Sequence, residues 1–162
     1  MTKITIKQEK ICLFLLVPAN VLYVVALFSH AWFKLPGVSY GLWWAVFCDF
    51  LACNIVPAFF TEEPVWYHIV QLLSLIGWCG MILSLMMMFK HFTFIDKYNI
   101  RRQQAVAVVC ILSGFTISLL LMMFYGKLDE MSTAEVPKVH WSAILAGVAG
   151  LLQFINGLLL VQ

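Results

Sequence analysis

Four stretches of this sequence, residues 11–28, 66–89, 105–125 and 141–161, contain no Asp, Glu, Lys or Arg. A helix of about 20 apolar residues is long enough to cross the hydrocarbon core of a bilayer. Inside lipid the backbone must satisfy its own hydrogen bonds, which leaves helices as the form of such segments. Short connections from the second to the third and from the third to the fourth force antiparallel neighbours. The expected fold class is therefore an all-α membrane protein. Its four transmembrane helices run up, down, up and down, and one domain covers residues 1–162. Composition agrees: 63% of residues are hydrophobic and 11% charged, where a soluble domain carries about 25% charged residues.

Lys3, Lys7 and Lys10 precede the first segment, as in a secretory signal. A signal's apolar region is about 7–15 residues long; this one is longer, and "FSHAWF" after it is a poor cleavage site. The segment reads as an uncleaved spanning helix. Basic residues flanking the spans set orientation. The three N-terminal lysines and the middle connection, with Lys90, Lys97, Arg101 and Arg102, belong on the cytosolic side. The loops 29–65 and 126–140, which hold Asp49, Glu62, Glu63, Asp129, Glu130 and Glu135, belong outside. Both termini are then cytosolic and the expected site is the plasma membrane, cell junctions included. The net charge of +2 leaves no nucleic-acid patch; Lys97, Arg101 and Arg102 suit anionic lipid.

Within the spans, Pro18 is expected to kink the first helix, which membrane helices tolerate. Asn20, Gln71, Gln153 and Asn156 need partners at depth, and hydrogen bonds between helices are the usual solution. The small residues Ala143, Ala146, Gly147 and Gly150 let backbones approach, either against Ser113 and Gly114 of the third span or against another copy. Cys12, near the cytosolic edge, is a candidate for S-palmitoylation or for buried packing.

The stretch "VSYGLWWAVFCDFLACN", 38–54, is unusual for a water-facing loop. An aromatic belt at the membrane boundary accounts for Trp66 and Trp141, but not for Trp43 and Trp44. Residues 38–48 are rich in Val, Tyr and Trp and follow Pro36-Gly37, which reads as a strand begun at a turn. Cys48 and Cys53 have four residues between them. Facing each other across a hairpin loop, their Cα atoms would fall within the roughly 4.4–6.8 Å of a disulfide, in a compartment where such bonds persist. A pair of unpaired buried thiols is the alternative.

Trp32, then Gly41-Leu42-Trp43, then two cysteines is similar to the W…GLW…C…C signature of claudins and their relatives, the epithelial membrane proteins, peripheral myelin protein and the calcium-channel gamma subunits. The spacing from Trp32 to Trp43 and "EEPVWYHIVQ" before the second span resemble the epithelial membrane protein and myelin branch, in divergent form. The resemblance implies a small antiparallel sheet, from the first and second outer loops, on a left-handed four-helix bundle. It implies structural roles for Trp32, Gly41, Leu42 and Trp43, and a disulfide between Cys48 and Cys53. The chain departs from the family in its short cysteine gap, in having no Asn-x-Ser/Thr sequon, and in ending at Gln162 without the cytosolic tail expected of a junction strand-former.

No nucleophile motif or phosphate loop is present, and Cys48/Cys53 lacks the C-x-x-C spacing of redox catalysts. His30, His68 and His140 lie at outer span ends with Glu62 and Glu63, but no pair has metal-ligand spacing, and histidine is common at interfaces. Charge-free spans make a poor ion pathway. The expectation is a non-enzymatic, cofactor-free protein whose partners are membrane lipids and itself or another membrane protein. It acts by contact in membrane organisation, cell–cell adhesion or barrier formation. The alternative is an auxiliary, gamma-like subunit that modulates a larger channel or receptor.

Overall fold

A computed structural model describes residues 6–48, 52–58, 63–93, 100–131 and 137–161. Asp49, Glu62, Lys97 and Glu135, and the side chains of Arg101 and Arg102, lie outside the described residues.

Four helices carry the apolar segments: α1 (Ile6–Phe28), α2 (Val65–Thr93), α3 (Ile100–Lys127) and α4 (Trp141–Val161). All four are long and apolar enough to cross a membrane. They pack in a ring in which α4 lies between α1 and α3, and α2 closes the gap between α3 and α1. Neighbours are antiparallel: Gly77 of α2 lies against Ile117 of α3 while Gly80 lies against Ser113. α1 runs through Pro18 as one helix.

Close approach explains the glycines of the α3–α4 seam. A Cβ on Gly150 would stand 2.7 Å from Ile117 Cγ2, and one on Gly157 would stand 2.6 Å from Ile111 Cγ1. Ala146 is fully buried. Gly147 has ordinary clearance to Leu121. Gly150 and Gly157 of α4 thus serve close packing within the chain, against α3.

Depth is handled unevenly. Gln153 Nε2 donates to Ser84 Oγ at 2.8 Å and Ser113 Oγ at 3.1 Å, tying α4 to α2 and α3. Asn20 departs from the expected bond between helices: its Nδ2 donates to Leu16 O on its own helix at 2.9 Å. Gln71 reaches out of the bundle altogether, to Leu42 O. Asn156 is buried, with neither polar side-chain atom bonded among the described residues.

Five short strands cap one end of the bundle: β1 (Phe33–Leu35), β2 (Val38–Tyr40), β3 (Trp44–Cys48), β4 (Cys53–Pro57) and β5 (Lys138–Val139). They form one sheet in the order β4-β3-β2-β1-β5, every pair antiparallel. The connection between α3 and α4 therefore contributes its strand beside the first strand of the connection between α1 and α2. Pro36-Gly37 joins β1 to β2, with Gly37 at φ 75° where side chains are strained.

Register sorts the sheet into two faces, because directly opposed residues share a side. Phe33, Tyr40, Ala45 and Val56 form an inner row; Phe33 stacks on Tyr40 at 4.8 Å and meets Phe124 of α3 at 6.0 Å. Lys138, Lys34, Ser39, Val46 and Ile55 form an outer row.

One expectation is corrected. The single strand expected over 38–48 is two, β2 and β3, parted at Gly41-Leu42-Trp43. The chain turns there, with Gly41 N–H donating to Trp44 O at 2.8 Å, and the Gly41 and Leu42 carbonyls bond to a helix instead of to a neighbouring strand.

Candidate functional site

The signature residues converge where the sheet meets the helix ends. The last carbonyls of α1 have no partner within the helix. Trp32 answers one of them: its Nε1–H donates to Ala26 O at 2.7 Å. The indole is fully buried and meets the Phe124 ring edge-on at 5.3 Å. Backbone bonds then tie the same point to two elements. Trp32 N–H donates to Tyr40 O at 2.8 Å, and His140 N–H to Trp32 O at 2.9 Å. Ser142 N–H, one of the orphan donors at the start of α4, finds Ala31 O at 3.1 Å.

Gly41 lies flat against the end of α1. A Cβ there would stand 2.2 Å from Ser29 O and 2.7 Å from His30 Cα, both backbone. With the chain pressed this close, the Gly41 and Leu42 carbonyls point toward α2 and each takes a buried donor from it. Tyr67 O–H donates to Gly41 O, and Gln71 Nε2–H donates to Leu42 O at 2.6 Å. His68 Nδ1 lies 3.0 Å from Gln71 Oε1, which leaves the amide nitrogen to face Leu42. Leu42 itself is fully buried. Trp43 packs on the same core, and its carbonyl accepts from Ala58 N–H at 2.9 Å. The glycine-leucine-tryptophan turn is thus a clamp that fixes the sheet to α1 and α2.

Cys48 and Cys53 face each other at the ends of β3 and β4. Their sulfurs are bonded, with a Cα separation of 4.1 Å, just under the expected interval. By register the bridge lies on the outer row's side, two residues from Val46 and Ile55. The other tryptophans divide. Trp44 and Trp141 are exposed, while Trp66, assigned to an aromatic belt, instead packs inward against Tyr67 at 5.7 Å.

Cys12 is buried in a cluster with Leu16, Met88, Val106, Ala107, Cys110 and Leu160. That position matches the buried packing expected as one of the two readings of this thiol. Among the described residues no three His, Cys, Asp or Glu side chains stand close enough to hold a metal ion. Tyr40, on the inner row, has its phenol pushed above the ordinary value by burial and then by the Glu63 carboxylate.

Sequence reasoning named Trp32, Gly41, Leu42, Trp43, Cys48 and Cys53, and the fold brings all six to this cap. It missed Tyr67 and Gln71 as the partners of the turn. Both fall in "EEPVWYHIVQ", where their spacing of four residues puts them on one helix face. No protein-family model matches the chain, and no curated protein matches it.

Proposed function

We propose that this chain is a claudin-like, multi-pass membrane protein that acts by protein–protein contact in membrane organisation, adhesion or barrier formation, without catalysis. The supporting observation is the clamp. Four apolar helices carry a five-stranded sheet whose attachment uses the W…GLW residues, and the sheet's outer row is left free with Ile55 69% exposed. The burial and bonding described above hold this surface in place. In this reading both termini and the 94–99 connection are cytosolic and the sheet projects from the plasma membrane.

A cell-aggregation assay tests it. Suspended cells displaying the full chain are expected to cluster, and Ile55→Asp, at equal surface level, is expected to abolish clustering. Clustering by neither chain overturns the contact reading. A second reading, docking on a larger channel or receptor as an auxiliary subunit, draws support from α2. That helix is the least covered of the four and exposes Leu72, Ile76, Leu83 and Met86 on one side of the bundle.

A further inference from the structure

Strand register places Lys34 of β1 directly opposite Lys138 of β5. Side chains so opposed share a face with Cβ atoms about 4.5–5.5 Å apart, and like charges there repel. Both lysines are exposed. Lys127 nearby has Glu130 as its partner, but neither Lys34 nor Lys138 has a carboxylate among the described residues. Their outer row continues through Ser39, Val46 and Ile55, none of them acidic. Two ammonium groups are therefore held side by side with no carboxylate partner among the described residues.

Depth places the pair at the level of the headgroups. α4 has 21 residues, about 32 Å at 1.5 Å each, which matches a hydrocarbon core of about 30 Å. It begins at the exposed Trp141, a residue type suited to the interface. Lys138 lies three residues before it, no more than about 10 Å of extended chain. The headgroup layer spans about 5–7 Å beyond the core on each side, and lysine stems bend to keep their ammonium at that level.

We propose that Lys34 and Lys138 form a two-ammonium site for an anionic phosphate group, lipid-borne or soluble, at headgroup level beside the start of α4. The site rests on the membrane-spanning reading of the four helices. An ammonium pair fits a phosphate bearing net negative charge better than a zwitterionic headgroup, in which a choline cation accompanies the phosphate.

The full chain is reconstituted in phosphatidylcholine vesicles, with and without phosphatidylglycerol, as wild type, Lys34→Gln and Lys138→Gln. Vesicle flotation reports insertion, thermal unfolding reports stability, and native mass spectrometry from detergent reports retained phosphatidylglycerol. Phosphatidylglycerol is expected to raise the wild-type midpoint, and each variant to retain about five-fold less of it. In phosphatidylcholine alone the variants should match or exceed wild type, since the repulsion is gone. If inorganic phosphate raises the wild-type midpoint in phosphatidylcholine vesicles and the variants do not respond, the site stands with soluble phosphate as its source. Equal retention in all three proteins, or a wild-type midpoint indifferent to both additions, overturns the site. A chain that fails to float with vesicles overturns the membrane reading instead.

Discussion

Replacing Gly41 by Ala adds one methyl group where two backbone segments already touch. The new Cβ would stand 2.2 Å from Ser29 O, whereas real Cβ atoms essentially never come within 3.0 Å of another heavy atom. Neither side of this contact is a flexible side-chain tip. Ser29 closes the end of α1, and its neighbours at 31 and 32 hold β2, β5 and α4. The turn must therefore lift by about 1 Å, taking the Gly41 and Leu42 carbonyls away from Tyr67 and Gln71. Each buried carbonyl left without its donor costs about 1–3 kcal/mol, and the overpacking adds about 1–3 kcal/mol. A total of about 3–9 kcal/mol follows, enough to threaten a fold whose net stability is about 5–15 kcal/mol. Gly126→Ala is the control: nothing lies within 4 Å of its added Cβ, and a helical Gly→Ala change stabilises by about 0.5–1 kcal/mol. Unfolding of the full chain in detergent micelles, with surface delivery in cells, measures both. A Gly41→Ala protein within about 1 kcal/mol of wild type would refute the clamp.

Three further outcomes follow from the same geometry. Tyr67→Phe and Gln71→Leu should each lose about 1–3 kcal/mol by stranding a buried carbonyl, and a double-mutant cycle should show coupling because both act on one turn; additive, near-zero effects would place the turn's anchorage elsewhere. Cys48→Ser or Cys53→Ser should cost about 2 kcal/mol for so small a closed loop and hold the chain in the secretory pathway, and normal surface delivery of both would count against a structural bridge. Because burial and Glu63 raise the Tyr40 phenol above 10.0, its contribution is complete below that value and is lost as pH rises through the raised one; alkaline titration followed by tyrosinate absorbance should show a late-titrating group that Tyr40→Phe removes and Glu63→Gln shifts partly downward.

The helices were legible because lipid-length apolar runs without charge have few other uses, and their ends agree with the expected spans to within a few residues. The cysteine pair was legible because four intervening residues suit a hairpin, and Trp32 and Gly41-Leu42-Trp43 were picked out by their resemblance to the W…GLW…C…C pattern. Their partners were hidden for a physical reason. The acceptors for Trp32, Tyr67 and Gln71 are backbone carbonyls, which every residue carries, so nothing at Ala26, Gly41 or Leu42 marks them in sequence. Gln71 looked like an amide in need of a second helix, when its partner is the turn above it. The strand break at Gly41 was missed because β-propensity runs unbroken from Val38 to Cys48 apart from that glycine, and a close approach is a property of what lies opposite. Gly157 escaped notice among the leucines of α4 for the same reason.

The most direct test of the contact account is purification of the full chain from native membranes in mild detergent, followed by mass spectrometry of what accompanies it. The account predicts further copies of this chain or a surface adhesion partner, lost on Ile55→Asp. A stoichiometric channel or receptor that stays bound when Ile55 is changed, and leaves when Leu72 or Ile76 is changed, would contradict it and make the protein an auxiliary subunit held through α2.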